Sequence, residues 1–385
     1  MVTAATQLLP ILFGEGASLQ TGAEATKLGM TKALVVCDPG VKGAGVVDPI
    51  IKSLHDEGIK TVLYDRVQAD SPDFVVEEAG ALARKEQVDG AVAVGGGSSM
   101  DAAKAAIILI NNPSPIHQWF MPAMAPGAGV PLITIPTTAG TGSEVTDVGI
   151  ITDTITNQKI AALLPPGFGR LAIVDPVAYV GLPPRFTVYC AFDAYTHAID
   201  GIISGTVEPF AVMYAKEAIR LIHENLPRVM EDGRNIEARG GLALAATLAG
   251  LTLRGIIAHL THTIGHSLGT RFHMAHGLGC AVCLPQLLKF YAEALPERTK
   301  IAAKAMGLSL PDVISNEELG IRMSEFVRAF MKQCNLPMLK ELEYTLEQVF
   351  DAVPMMPKDV AMEFAPFKLT EEDYKKIIED AYNNN

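Results

Sequence analysis

The sequence is poor in positive charge, in long apolar runs and in cysteine, and each scarcity argues against a class of function. Lys and Arg number 31 against 43 Asp and Glu, a formal net charge of −12 over 385 residues. No basic run interrupts the chain, which argues against nucleic acid or an anionic membrane surface as partner, since both need clustered positive charge. A membrane span takes about 20 uninterrupted apolar residues. The longest candidate, GLALAATLAGLTL at 241–253, is shorter, rich in Ala and Gly, and followed by Arg254, so it reads as a buried helix. The opening MVTAATQLLPILFGEG lacks a basic region and a cleavage-like site, so no secretion signal is expected. Five cysteines, an odd count spread over a long chain, fit a reducing cytoplasm better than a disulfide framework. Cys280 and Cys283 form a C-x-x-C, but no second pair completes a four-thiolate zinc site, and both are assigned to the apolar core.

What is present is apolar bulk arranged in two rhythms. The chain exceeds the roughly 250–300 residues at which single cores stop growing, so two domains are expected. TKALVVCD (31–38), IKTVLYD (59–65), VDGAVAVGGG (88–97) and VPLITIPT (130–137) read as strands. VVDPIIKSLHDEG (46–58), DFVVEEAGALARKEQ (73–87) and SSMDAAKAAIILI (98–110) carry helical spacing between them. Such alternation, with continuously apolar strands, predicts a parallel sheet covered on both faces. The rhythm stops near GLPPRF (181–186), whose tandem prolines suit a linker feeding a helix. Beyond it, helical patterns run over 186–204, 208–224, 237–267, 281–306, 316–333 and 370–383 without a clear β run. The expected architecture is an α/β domain over 1–184 followed by an all-α domain over 185–385.

VAVGGGSSMDAAK (92–104) sets Gly95, Gly96 and Gly97 between a strand end and a helix start. Residues without Cβ let phosphate oxygens approach the backbone, and a helix start offers free N–H groups and partial positive charge. Ser98 and Ser99 can cap the helix or bind phosphate, and a plain βα turn would carry the same letters. The first βα junction, DPGVKGAG (38–45), does not read G-x-G-x-x-G, so the standard dinucleotide fingerprint is missing. A pyrophosphate after the third strand still obeys the rule that ligands bind outside the carboxyl ends of parallel strands. Asp38, at the end of the first strand, can accept from an adenosine ribose and would repel a 2′-phosphate, which favours NAD over NADP. The alternative is a turn aspartate before Pro39. A second polar loop, IPTTAGTGSEVTDVG (135–149), gathers Thr137, Thr138, Thr141, Ser143, Glu144 and Thr146 around glycines. A loop that hydrogen-bonds an extended cofactor looks like this, and so does a polar surface loop.

Histidine is unevenly placed. Seven of the nine lie after residue 190, and five fall within 259–276. Asp193 and His197 in CAFDAYTHAIDG are one helical turn apart, so their side chains share a face; His262 and His266 repeat that spacing. An apolar helix gains nothing from burying a carboxylate and an imidazole unless something compensates them. A carboxylate with several imidazoles suits Fe²⁺ or Zn²⁺ better than Mg²⁺ or Ca²⁺, which take oxygen. Spacing alone does not decide which of His259, His262, His266, His273 and His276 would bind. His55, His117 and His223 read as capping, pairing or space-filling residues.

GGGSSMDAAK, PTTAGTGSEVT, FDAYTHAID and HTIGHSLGTRFHMAHG together resemble the iron-containing (group III) alcohol dehydrogenase family, in that family's order and over nearly the whole chain. The resemblance implies a Rossmann-like N-terminal NAD-binding domain, a helical C-terminal domain and a metal in the cleft between them, an architecture shared with dehydroquinate synthase. It implies Asp193, His197, His262 and His276 as ligands of Fe²⁺, with Zn²⁺ as the alternative. His266 is then a non-ligand near the nicotinamide, able to relay a proton, with His273 in a supporting role. Cofactor positions carry over to Asp38, Gly95, Gly96, Gly97, Ser98, Asp101, Thr137, Thr138, Thr141 and Lys159. The implied reaction interconverts a small-molecule alcohol and an aldehyde or ketone by hydride transfer to NAD, in a homodimer or larger oligomer. Departures from the pattern occur at Leu253 and Arg254, at Ala275, and at Asp70-Ser71 where the family has Asn-Pro. Arg254, facing a substrate, would favour an acidic one, as in a hydroxyacid–oxoacid transhydrogenase or a reductase of unsaturated acids. A non-catalytic metal- or nucleotide-binding protein is the remaining alternative.

Overall fold

Strand side chains alternate between faces, so a run of small and β-branched residues buried on both sides marks a sheet interior. The computed structural model describes residues 9–125, 127, 129–156, 158–164, 170–204, 209–253 and 258–384. Its strands are β1 (Ile11–Phe13), β2 (Lys32–Val36), β3 (Lys60–Tyr64), β4 (Gly90–Gly95), β5 (Leu132–Pro136), β6 (Val148–Asp153), β7 (Gln158–Leu163) and β8 (Arg170–Val174). Six of them form one parallel sheet in the order β1-β8-β5-β4-β2-β3. Ala33, Val35, Val92, Val94, Ile133 and Ile135 point to one face, packed with Ile50 and Leu54 of the Val47–Asp56 helix. Leu34, Val36, Ala91, Ala93 and Leu132 point to the other, packed with Val75 and Ala79 of the Asp73–Glu86 helix and Ala103 and Ile107 of the Gly97–Asn111 helix.

The chain leaves β2 for β3 on one side and returns to β4 on the other. A switch of direction therefore lies between β2 and β4, where ligands of open α/β sheets bind at the carboxyl ends. Strands β2 to β5 lie where the apolar runs predict them. Strands β1 and β8 and the antiparallel hairpin β6–β7 do not come from that reading.

Two compact units result. One is the described part of Ala4–Thr138 with Gly142–Leu182; the other holds Ala139–Thr141 with the described part of Pro183–Asn385. The second has no strand among its described residues. The predicted helix over 237–267 is two helices, Ile236–Thr252 and Leu260–Phe272. The pattern over 281–306 breaks at prolines into Leu284–Ala294 and Pro296–Ala305, because proline favours the first turn of a helix. Arg254 lies outside the described residues, so the acidic-substrate argument has no structural counterpart.

Helix contacts in this unit depend on missing Cβ atoms. A Cβ on Gly277 would lie 2.1 Å from the Tyr189 carbonyl oxygen and 2.9 Å from Asp193 Cβ. The His276–Ala281 helix can thus lie directly on the Pro184–Ile203 helix, which carries Asp193 and His197. No described helix is long and apolar enough to cross a membrane.

Candidate metal centre and cofactor turn

The Pro184–Ile203 helix is buried continuously from Ala191 to Ile203, although Asp193, His197 and Asp200 lie inside that stretch. The structure brings Asp193 and His197 together with His262 and His276. Asp193 Oδ1 is 3.8 Å from His197 Nε2, 3.8 Å from His262 Nε2 and 3.5 Å from His276 Nε2. His197 Nε2 and His262 Nε2 are 2.9 Å apart, with the rings stacked. Donors about 2.0–2.1 Å from one tetrahedral ion lie about 3.4 Å from each other, so these separations bracket that edge.

Asp193 Oδ1 is buried with no hydrogen-bond partner, which costs a neutral group about 1–3 kcal/mol and a charged one more. Burial works against the Asp193 anion, but His197 and His276 outweigh it and hold the carboxyl below the usual range. Burial pushes His197 down to about 4, neutral and fit to ligate. It opposes a proton on His262 too, yet Cys280, Asp193 and Asp200 overcome this and raise that imidazole. The pocket calls for a positive charge, and a divalent cation would meet that demand.

The hydrogen bonds around His262 select its tautomer. Thr261 Oγ1 donates its only hydrogen to Asp200 Oδ2 at 2.7 Å. The same oxygen therefore accepts from His262 Nδ1–H at 2.9 Å, and Nε2 is left to face the donor cluster. Asp200 is fully buried and also accepts from the His259 N–H at 3.0 Å and the Tyr291 hydroxyl at 3.1 Å. His259 is thereby tied to Asp200 and stands apart from the ligand cluster. Thr261 escaped the sequence reading.

His266 Nδ1 pairs with both carboxylate oxygens of Asp359 at 3.1 Å, and its ring stacks 5.5 Å from that of His276. Asp359 is a second missed residue; it also caps a short 3-10 helix, Val360–Phe364. His273 ends the Leu260–Phe272 helix in the left-handed region, φ 54°, with an exposed ring that no described contact joins to the cluster. Cys283 lies in the core, its thiol pushed up to about 12 by burial. Cys280 is buried there as well, with its sulfur 3.8 Å from His276 Nε2.

In the sheet unit Asp38, the Gly95–Ser98 turn, Thr137 and Thr138 lie at the carboxyl ends of β2, β4 and β5, while Asp101 lies in the Gly97–Asn111 helix and Lys159 on β7. Gly95 has φ 151°, and a Cβ there would lie 2.4 Å from Ser99 Oγ. A Cβ on Gly96 would meet the Thr138 hydroxyl at 3.1 Å, and Thr137 donates its N–H to the Gly95 carbonyl. Asp38 Oδ1 caps the Pro39–Gly43 turn of helix through the N–H groups of Gly40 and Val41, while Oδ2 keeps only a 3.4 Å contact from Ser99. The turn role thus leaves Oδ2 with a single long hydrogen bond from Ser99. Gly97 opens the Gly97–Asn111 helix, and Ser98 Oγ accepts from the Asp70 N–H at 3.1 Å. Asp70 pairs with Lys159 of β7 at 2.7 Å and Ser71 Oγ donates to the Ser98 carbonyl at 2.6 Å, so the Asp70-Ser71 departure ties this loop to the hairpin and to the glycine turn. Asp101 accepts from Ser143 at 2.6 Å and lies 3.5 Å from the buried Lys104 ammonium, which burial pushes down to about 8. Thr141 clusters with the helical unit.

Comparison with known proteins identifies the family. A family model described as iron-containing alcohol dehydrogenase matches residues 10–176, and one for the C-terminal part of the Fe-containing alcohol dehydrogenase family matches 187–382. The chain is 34% identical over 379 residues to a choline dehydrogenase of Bacillus subtilis, covering 97% of this chain and 93% of that protein. It superposes on a crystal structure of a 1,3-propanediol oxidoreductase with a TM-score of 0.92 at 30% identity, covering 98% of this chain and 100% of the other. An NADH-dependent butanol dehydrogenase of Thermotoga maritima gives a TM-score of 0.87 at 27% identity, covering 99% and 98%.

Proposed function

The chain belongs to the iron-containing alcohol dehydrogenase family, and on that premise we propose which of its residues hold metal and cofactor and which move the proton. It is a metal-dependent, NAD(P)-linked oxidoreductase that interconverts an alcohol and an aldehyde or ketone. In our reading Asp193, His197, His262 and His276 hold the ion, Fe²⁺ with Zn²⁺ as the alternative. The observation that carries it is the buried, unpartnered Asp193 Oδ1 amid three imidazole nitrogens. Asp38, the Gly95–Ser98 turn, Asp101, Thr137, Thr138, Thr141 and Lys159 form the NAD site, making residues 1–184 the cofactor domain and 185–385 the metal domain. We extend the reading to a homodimer or larger oligomer, working in the cytoplasm on a small-molecule alcohol.

When bound, the ion supplies a Lewis acid that acidifies the alcohol oxygen, and the nicotinamide supplies a hydride acceptor. His266 donates Nδ1–H to the Asp359 carboxylate, which leaves Nε2 as the acceptor of the alcohol proton. Asp359 then stabilises the imidazolium that forms. Thr261 and Asp200 keep the His262 ring oriented and its Nε2 bare. Asp38, with one carboxylate oxygen held only by a long hydrogen bond from Ser99, repels a 2′-phosphate, which favours NAD.

The test is metal analysis of anaerobically purified protein, together with NADH formation across a panel of alcohols. One ion per chain and turnover of at least one alcohol are expected. A metal-free chain that still turns over alcohol at full rate would refute the assignment.

A further inference from the structure

We propose that Lys104 is a positioning residue for the cofactor: its buried ammonium clamps the 143–148 segment onto the Gly97–Asn111 helix and thereby sets how tightly NAD is held. The proposal rests on the NAD-site reading above and adds to it a residue that need not touch the dinucleotide.

Lys104 lies one turn beyond Asp101 on that helix and is fully buried. A buried ammonium is costly unless its charge and its three N–H groups are met. Here the three find three acceptors: Ser143 Oγ at 2.5 Å, Thr146 Oγ1 at 3.1 Å and the Val148 carbonyl at 2.9 Å. The match holds only for the charged form, because a neutral amine has two N–H groups. Ser143 accepts from Lys104 and passes its own hydrogen to Asp101 Oδ1 at 2.6 Å, so the clamp reaches a residue of the proposed NAD site. The clamped segment also follows Thr137 and Thr138 in the chain. Contact on this side of the helix is close: a Cβ on Gly149 would lie 2.9 Å from the Asp101 carbonyl oxygen.

The charged groups that face the ammonium are Asp101 on its own helix, Glu144 in the clamped segment and Arg170 on β8, itself paired with Asp147. Burial outweighs the two carboxylates and, with Arg170, pushes Lys104 down to about 8. Below that pH the clamp is complete. Above it one of the three acceptors loses its donor, and the grip on NAD loosens.

Isothermal titration of the metal-loaded full chain with ADP-ribose, from about pH 6.5 to about pH 9.5, tests this, since the probe lacks the nicotinamide. Wild-type affinity is expected to be level up to about pH 8 and then to fall about two- to tenfold, the contribution of one hydrogen bond. Lys104→Met should bind that much more weakly already at neutral pH and show no break. Ser143→Ala, which deprives the ammonium of one acceptor, should move the break to lower pH and keeps the test decisive if Lys104→Met does not fold. A wild-type profile with no fall, a fall that persists in Lys104→Met, or a break that Ser143→Ala leaves in place overturns the clamp and leaves the NAD site standing. A wild type that binds no ADP-ribose at any pH overturns both.

Discussion

Asp73, His117 and Asp153 in the sheet unit have ligand-type atoms mutually within 4.8 Å, and so do Asp193, His262 and His276, with Cys280, in the helical unit. The two groups differ in what surrounds them. Asp73 accepts from the Phe74 N–H at 2.7 Å and from the Thr154 hydroxyl and N–H at 2.8 and 3.1 Å. Asp153 accepts from the Ile155 N–H at 2.9 Å and the Thr156 hydroxyl at 2.7 Å, and His117 Nε2 lies between the carboxylates at 3.0 and 3.3 Å. The Thr156 hydroxyl, with these other bonds, keeps the Asp153 carboxyl below its ordinary value. Every carboxylate oxygen there is used by the fold. Asp193 Oδ1 is used by nothing, and His262 reaches it with a nitrogen freed by Thr261 and Asp200. Proximity of ligand types is therefore a weaker sign of a metal than an acceptor the fold leaves unsatisfied.

Breaking the helical cluster should have the largest effect. His276→Ala is expected to abolish metal retention and NADH formation together, while fluorescence titration still registers NAD binding. Asp359→Asn, which leaves the donor cluster intact, should lower kcat on the order of 100-fold with metal content and KM little changed, the low end of general acid–base contributions. Steady-state kinetics with parallel metal analysis separates those two variants. Thr261→Val removes the group that orients His262 and should weaken metal affinity by about 10–100-fold, read by competition with a chelating dye.

The smallest effect concerns a histidine that needs no metal. His223 hydrogen-bonds the Tyr195 hydroxyl at 2.9 Å and packs 4.1 Å from the Phe330 ring; burial pushes its pKa down to about 4. Unfolded histidine titrates near about 6.5, so between these values the unfolded chain holds the extra proton. Stability from neutral His223 is thus full above about pH 6.5 and lost as the pH falls towards 4. His223→Gln should flatten the slope of the urea midpoint in that window, by at most about 3 kcal/mol in total.

Much of the fold was legible because β2 to β5 and the helices between them carry strong periodicity. Strand β1 was not, since ILF offers only three residues between Pro10 and Gly14. The hairpin strands VGIITD and QKIAAL sit within and after a polar loop, and their pairing is tertiary information. The helix end at Thr252 was hidden because apolar residues continue beyond it, whereas the break within 281–306 falls at Pro296. Asp193, His197, His262 and His266 announce themselves by their one-turn spacing. Thr261 adjoins its histidine and Asp359 is 93 residues from His266, so neither has a periodic signal.

The most direct test compares ion content in the two clusters, by elemental analysis of anaerobically purified wild type, Asp193→Asn and Asp153→Asn. One ion per chain is predicted for the wild type and for Asp153→Asn, the latter destabilised by about 1–3 kcal/mol, and none for Asp193→Asn. An ion that survives loss of the Asp193 carboxylate, or that disappears with Asp153, would contradict the account.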